Sequence, residues 1–340
     1  MEVDKHQLFR RYAGNPILVA DDWPYTVNAV FNPGVVRHGN DTVLLVRVED
    51  RSGLSHLGVA RSTDGFTDWH IDTEPSFAAD ESRFEETWGI EDPRITPCED
   101  EYMIVYTGFS RGGPLVCLAS TRDFRTFERR GVLMVPEDKD AALFPCRFNG
   151  RWGLLHRPVS AGSGTTGVGA HVWLSWSPDL RHWGDHKVLI HAREGGWWDA
   201  NKVGLGPPPL LTKYGWLVLY HGVRVTASGS IYRLGLALLD RDNPGNMLIR
   251  GNEWIFGPER DYERSGDVPD VVFPCGWLLD EAQQSLRLYY GAADTSICVA
   301  TANVDELVEH LHRHCICGYA HAVGYRCTIA ASEPIAINGG

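Results

Sequence analysis

The chain has 340 residues, of which 43% are hydrophobic, and it carries a formal net charge of −12. This length and composition are sufficient for one large all-β domain with a packed core. The acidic balance, without runs of Lys or Arg, argues against nucleic acid and anionic membranes as partners. The sequence also lacks an apolar stretch of the roughly 18 residues that a membrane-spanning helix needs.

A pair of strands recurs five times along the chain. The first strands are Val43–Val48, Tyr102–Thr107, Trp152–His156, Trp216–His221 and Leu286–Gly291. The second strands, which have smaller residues, are Leu57–Ser62, Val116–Ser120, Val172–Trp176, Leu234–Leu239 and Ile297–Thr301. Successive first strands begin 50 to 70 residues apart, a period that fits four-stranded blades. The repeat therefore predicts an all-β, five-bladed β-propeller over residues 1–302.

Residues 303–340 are predicted to form a short C-terminal helix and a weakly structured tail. Val304, Leu307, Val308 and Leu311 fall on one face of that helix. The nearby His and Cys residues match no paired zinc pattern, so we expect a solvated helix end and no metal site. Because the N-terminus lacks the layout of a secretory signal, we expect the eight cysteines to be reduced thiols in a cytoplasmic protein.

The sequence GIEDPRI contains the first candidate for chemistry. Pro93 restricts the preceding Asp92, which we expect to be held in an extended conformation. The apolar neighbours Trp88 and Ile90 would raise the pKa of Asp92 toward the range of a general acid. The alternative is a structural Asp-Pro turn with Arg94 as a surface partner.

Basic residues recur near the ends of the repeated strands. Arg47 and Arg51 lie at the end of the first one, where a solvent-facing pair is the alternative. Arg157 and His221 come at the same place in later repeats, and Lys139 precedes the third repeat. Because a propeller directs equivalent strand ends toward one axis, we expect these side chains to converge. Lys139, Arg157 and His221 would then form an oxyanion site, since arginine suits bidentate contact with phosphate.

The sequence GGWWDANKVG places Asp199 and Lys202 beside two adjacent tryptophans. Tryptophan faces next to carboxylate and amine groups suit a carbohydrate pocket, and a buried Trp corner with a surface ion pair is the alternative. Asp294 follows the fifth repeated strand and would add a polar group at the same edge.

With these segments assembled, the chain resembles glycoside hydrolase family 130, the inverting β-mannoside phosphorylases, across most of its length. The matching stretches are VFNPG, ARSTDG, GIEDPR, KDAALFP, HRP, WD, KVG, YHG, VVFP and YGAAD. The resemblance implies a five-bladed propeller, in agreement with the repeat count. It also implies an enzyme that takes a β-mannoside and uses inorganic phosphate as co-substrate, with no other cofactor.

The resemblance further implies a role for each candidate residue. Asp92 would be the general acid, protonating the glycosidic oxygen through the mannose 3-hydroxyl. Phosphate, bound by Lys139, Arg157 and His221, would attack the anomeric carbon from the opposite face and yield α-mannose 1-phosphate without a general base. Contacts to the mannosyl group would come from Asn32, Arg47, Arg51, Asp199, Lys202 and Asp294.

Three other functions are open. A hydrolase of the same fold would need an acidic residue to activate water, and a non-catalytic sugar-binding propeller would need no general acid. A retaining furanosidase would need a carboxylate nucleophile about 5 Å from the acid. The basic residues favour phosphorolysis. The sequence leaves open the β-1,4 or β-1,2 linkage, the acceptor, the preferred chain length and the oligomeric state, a homo-oligomer included.

Overall fold

The protein is described by a computed structural model that covers residues 8–159, 169–227 and 229–315. Its strands form five separate antiparallel sheets, which are the five blades of a β-propeller. The first strands of blades I, II and III contact one another in turn, and the first strand of blade V contacts that of blade I. The predicted all-β, five-bladed propeller is confirmed.

Blades I to III each contain four strands in sequential order. Blade I consists of Ala29–His38, Asp41–Glu49, Ser55–Ser62 and His70–Ile71. Blade II consists of Ile90–Cys98, Glu101–Ser110, Gly113–Thr121 and Glu128–Met134. Blade III consists of Asp138–Phe148, Arg151–Pro158, Val172–Ser177 and Gly184–Ile190. The repeats recognised in the sequence are therefore the two middle strands of each blade.

Blades IV and V depart from this order. Blade IV consists of Lys202–Leu205, Leu210–Thr212, Gly215–Thr226, Gly229–Leu239 and Met247–Arg250. Blade V consists of Val272–Asp280, Ser285–Ala292, Ser296–Asn303 and the N-terminal strand Arg10–Arg11. Because this N-terminal strand pairs with the third strand of blade V, both ends of the ring are joined within one sheet.

Hydrophobic side chains fill the interfaces between the blades. Five large clusters of buried residues follow the ring, one at each interface between adjacent blades. The alternation of side chains along a strand explains this arrangement, because each blade is apolar on both faces and needs a neighbour on each side. Burial between blades therefore holds the inner strands, and the side chains on them, in fixed positions.

A helix from Val304 to Arg313 follows the last strand, and the shorter helical turns are Ala20–Asp22, Phe84–Glu86 and Asp261–Arg264. The Asn303 side chain caps the long helix by accepting hydrogen bonds from two backbone N–H groups. The four residues expected on one face of the helix are buried in the cluster between blades IV and V. Within the described ranges, none of these helices has the length and apolarity needed to cross a bilayer. The predicted tail, residues 316–340, lies outside the described residues.

Candidate active site

The inner strands of blades I, II and III share an irregularity that builds the site. Each strand breaks register with its neighbour at the same place, which is the signature of a β-bulge. The bulge puts Asn32, Asp92 and Asp140 in the left-handed region, with φ of 47°, 50° and 51°. Asn and Asp tolerate this region better than other residues with a Cβ atom. The expected extended conformation of Asp92 is therefore wrong, because the bulge overrides the preference imposed by Pro93.

Asp92 lies buried among hydrogen-bond donors. Asn32 Nδ2 donates to Asp92 Oδ1 at 2.9 Å, and Arg47 Nη1 donates to the same oxygen at 3.2 Å. Arg47 Nη2 reaches Glu91 Oε1 at 3.1 Å, and its guanidinium lies 4.6 Å from the centre of the Phe31 ring. Arg47 thus points into the site rather than to solvent, and the structure brings Asn32, Arg47 and Asp92 together.

Asp92 and Asp294, which we call the acidic pair, differ in protonation. Burial alone would raise the pKa of Asp92, but the charges of Arg47, Lys139 and Arg94 outweigh it and lower this pKa. Burial and the charge of Asp92 raise the pKa of Asp294 to about 7. The expectation of a raised pKa at Asp92 is therefore wrong for the protein without substrate. Asp294 is therefore the member of the pair that titrates near neutral pH.

A tight hairpin turn presents Asp294 to this site. Ala293 and Asp294 are both left-handed, with φ of 49° and 50°, between the second and third strands of blade V. The adjacent Gly291 has no room for a side chain, because a Cβ atom there would collide with Asn32 Oδ1. This close approach packs the end of blade V against the bulge of blade I.

The predicted phosphate-binding residues Lys139, Arg157 and His221, which we call the basic cluster, converge on one carboxylate. Arg157 Nε donates to Asp140 Oδ2 at 2.7 Å, and His221 Nε2 lies 3.5 Å from the same oxygen. Lys139 is the register partner of Arg157 across the two inner strands of blade III. Gly204 lets blade IV approach closely, since a Cβ atom there would lie 2.5 Å from Asp140 Oδ2.

The three residues do not contribute equal charge. Burial lowers the pKa of His221 to about 3, although Asp140 acts in the opposite direction. His221 is therefore neutral at physiological pH and offers a hydrogen bond rather than a cation. Burial would raise the pKa of Asp140, but Arg157 and the other basic neighbours lower it, so this carboxylate stays ionised. The predicted cationic set thus has two cations, Lys139 and Arg157.

The acidic pair and the basic cluster with their neighbours Asn32 and Asp140 form the site that we call the funnel. Three buried polar atoms in the funnel make no hydrogen bond within the described part of the chain. They are Asn32 Oδ1, Asp140 Oδ1 and His221 Nδ1. Buried polar atoms in proteins are nearly always paired, so unpaired ones need an explanation. One accompanies the acidic pair and two accompany the basic cluster, which is consistent with polar ligands binding at both places.

Arg94 is a structural residue of the funnel and not a surface partner. Its side chain is only 1% exposed, and it donates to the backbone oxygens of Leu205, Gly206 and Asp92 at 3.0, 2.7 and 3.1 Å. Arg94 therefore ties blade II to blade IV beneath the site. Trp88, expected to give Asp92 an apolar setting, is 47% exposed instead.

Two further predicted sugar-binding residues, Lys202 and Arg51, lie in different surroundings. Lys202 is half-buried near the basic cluster, where its charge contributes to the lowered pKa of His221. Arg51 is exposed on the turn between the second and third strands of blade I.

The structure does not bring Asp199 to the funnel. Asp199 is fully buried, and its carboxylate pairs with Arg193 at 2.9 Å and with Arg250 at 2.7 Å. The neighbouring Trp198 stacks on Tyr220 in the cluster between blades III and IV. The burial of Asp199 and its ion pairs with two arginines favour the alternative of a buried Trp corner, with the ion pair buried rather than at the surface.

Asp140 is the site residue that the sequence analysis missed. The repeat was recognised from the apolar middle strands, whereas Asp140 lies on the inner strand before them. Aligning FNPG, EDPR and KDAA in the repeat places Asn32, Asp92 and Asp140 at one position. This alignment is the sequence signal that indicates Asp140 as a site residue.

Comparisons with known proteins establish the family of the chain. A family profile described as beta-1,4-mannooligosaccharide phosphorylase matches residues 4–313. The chain belongs to glycoside hydrolase family 130. It is 34% identical over 313 residues to the beta-1,4-mannooligosaccharide phosphorylase of Ruminococcus albus, covering 89% of this chain and 91% of that protein.

Two further comparisons extend the family assignment. The chain is 37% identical over 262 residues to a beta-1,2-mannobiose phosphorylase of Listeria innocua, covering 76% of this chain and 70% of that protein. A solved structure of a Listeria innocua beta-1,2-mannobiose phosphorylase with beta-1,2-mannobiose superimposes with a TM-score of 0.81 at 30% identity, covering 90% and 99% of the two chains. The predicted family is confirmed, and this member of it is an enzyme of the phosphorylase type.

Proposed function

We propose that the protein catalyses the inverting phosphorolysis of a β-D-mannoside to α-D-mannose 1-phosphate and the released acceptor sugar. The observation that carries this proposal is the proximity of the acidic pair to the basic cluster. Arg94 lies between them, donating to Asp92 O at 3.1 Å and lying 3.8 Å from Asp140 Oδ1. The substrate would be a mannobiose, a mannooligosaccharide or a mannosyl-glucose. The named relatives are β-mannoside phosphorylases, which supports the same reaction.

In the proposed reaction, the basic cluster holds inorganic phosphate. One phosphate oxygen forms a bond to the anomeric carbon while the bond from that carbon to the glycosidic oxygen breaks. Asp92 supplies the proton that the leaving sugar takes up, through the mannose 3-hydroxyl. No base is needed to activate phosphate because it is already an anion. The mannosyl group would be held by Asn32, Arg47, Arg51, Lys202 and Asp294.

Phosphate binding would also prepare the acid. Without ligand, Arg47, Lys139 and Arg94 hold Asp92 ionised. A phosphate dianion beside Lys139 would offset part of that positive charge and raise the pKa of Asp92. A higher pKa favours the protonated form of Asp92, which is the form that a general acid needs.

The state of Asp140 supports phosphorolysis over hydrolysis. An inverting hydrolase needs a carboxylate base that takes a proton from water. Asp140 accepts a hydrogen bond from Arg157 of the basic cluster, and Arg157 together with the other basic neighbours holds the pKa of Asp140 well below the usual range. A carboxylate this acidic is a poor general base.

The decisive experiment is an assay of mannose 1-phosphate with β-1,2- and β-1,4-linked mannobioses, mannooligosaccharides and mannosyl-glucoses, each with and without phosphate. We expect product only with phosphate, at a rate that EDTA does not change. Undiminished turnover in phosphate-free buffer would identify a hydrolase. Binding of these sugars without any turnover would identify a sugar-binding propeller.

A further inference from the structure

A second group of ligating side chains lies outside the funnel, at the end of the C-terminal helix. Glu253, His310 and His314 each place one ligand atom within 4.8 Å of the others. His314 Nδ1 is 3.2 Å from Glu253 Oε2, and the centroids of the two imidazole rings are 4.3 Å apart. None of the three takes part in the proposed reaction.

Two imidazoles and a carboxylate in this arrangement match the ligands and spacing that zinc uses. His310 and His314 are four residues apart, which places them on the same face of the helix. Tetrahedral zinc with bonds of about 2.0–2.2 Å brings neighbouring ligand atoms roughly 3.4 Å apart. The pair formed by His314 and Glu253 is already near that spacing at 3.2 Å, and the stacked ring of His310 would have to rotate to join them.

The backbone around these residues is fixed independently of any ion. The N–H of Asn252 donates to His314 O at 3.1 Å, which links the loop after blade IV to the end of the helix. Leu307 and Leu311 anchor the same helix in the cluster between blades IV and V. Because the ligand-bearing elements are held together in advance, an ion would meet a largely preformed site.

We propose that Glu253, His310 and His314 form a zinc site in which water completes the coordination. Imidazoles bind zinc in the neutral form, so binding should weaken as the pH falls. The bound ion would bridge the C-terminal helix and blade IV. The sequence predicts a solvated helix end without a metal site. The proposed site differs because its third ligand, Glu253, lies far from the helix in the sequence. The proposal does not depend on the proposed reaction.

The helix itself provides a matched control. His312 lies between the two proposed ligands in sequence, is exposed, and is not a member of the cluster. His312→Ala therefore removes one imidazole from the same helix without touching the site. Glu253→Gln removes the charge of the third ligand and keeps its shape.

The test is a titration of the metal-free full-length chain with zinc chloride against a competing chromophoric chelator, combined with thermal melting. We expect one zinc per chain and a melting temperature that rises by several degrees with zinc but not with magnesium. His310→Ala and His314→Ala should each weaken binding by at least about 10–100-fold, the cost of losing even an outer-shell partner. Glu253→Gln should also weaken it, and His312→Ala should bind zinc as the wild type does.

Three results would overturn the proposal. The first is no zinc binding at micromolar concentrations. The second is equal affinity in the wild type and in His310→Ala and His314→Ala, which would place zinc on other groups such as the cysteines. The third is equal weakening by His312→Ala. Phosphorolysis should proceed at the same rate with and without zinc, since the site lies outside the funnel.

Discussion

The bulges of blades II and III each hold an aspartate in the same backbone conformation. Asp92 belongs to the acidic pair, and Asp140 lies at the basic cluster. Asp92 and Asp140 have φ of 50° and 51°, and both are buried. Asp92 accepts hydrogen bonds from Asn32 and Arg47, and Asp140 accepts one from Arg157. The backbone feature is repeated, whereas the neighbours are not.

The neighbours decide what each carboxylate can do. Asp92 lies near a second carboxylate, Asp294, whose pKa of about 7 keeps a proton in the acidic pair near neutrality. Asp140 interacts with basic groups that hold it ionised, so it supplies a fixed negative charge against the basic cluster. We infer that Asp92 serves chemistry and that Asp140 positions the groups that bind phosphate.

Asp92→Asn should have the largest effect on activity. Asparagine keeps the shape but has no proton to transfer, so turnover should fall about 10²–10⁴-fold. Stability should stay close to wild type, because Arg47 remains paired with Glu91 at 3.1 Å. Turnover on a β-mannoside and the melting temperature check both statements. Near wild-type turnover in the folded variant would show that the motif is a structural Asp-Pro turn.

The same substitution in the equivalent bulge, Asp140→Asn, should act mainly on stability. It leaves the buried Arg157 without its counter-charge, and breaking a buried pair in this way costs about 3–5 kcal/mol. Phosphate can supply the missing anion, so its addition should raise the melting temperature of this variant more than that of the wild type.

Melting curves in phosphate and in chloride at equal ionic strength, with Asp92→Asn as the control, measure this difference. Equal melting temperatures for wild type and Asp140→Asn would remove the distinction between the two bulges.

Arg157→Ala and Asp294→Ala separate the two ends of the funnel by substrate. A charge-assisted hydrogen bond to an anion contributes about 1.5–3 kcal/mol, so Arg157→Ala should raise the phosphate KM by about 10–150-fold and also lower turnover. Asp294→Ala should raise the KM of the mannoside instead, because a carboxyl group accepts hydrogen bonds from sugar hydroxyls. Both KM values are needed for both variants. A reversed pattern would mean that the two halves of the site are exchanged.

The smallest effect concerns the pH dependence of stability. The pKa of Asp294 is about 7 in the folded protein against an ordinary value of 3.8, so the folded state binds the proton more tightly. The contribution of this group to stability therefore falls as the pH rises from about 4 to about 7. Asp294→Asn cannot ionise and should melt higher than the wild type at about pH 8, with little difference at about pH 4. An equal difference at both pH values would contradict the raised pKa.

The sequence by itself determined the blade count, the C-terminal helix and the place of Asp92 in the motif GIEDPRI. These features are local, because the alternation of apolar residues and the spacing of repeats are properties of neighbouring residues. The equivalent strand ends also allowed the convergence of Arg157 and His221 to be predicted. A repeat fixes where a side chain leaves its blade, even before its partners are known.

Only the tertiary structure decided the partners and the charges. Arg94 donates to carbonyls 111 and 112 residues further along the chain, which no local pattern indicates. The burial of Asp199, the neutral His221 and the raised pKa of Asp294 likewise depend on which groups from other blades lie within a few ångströms. Pairing and pKa are set by burial and distance, and both are defined only once the ring of blades has closed.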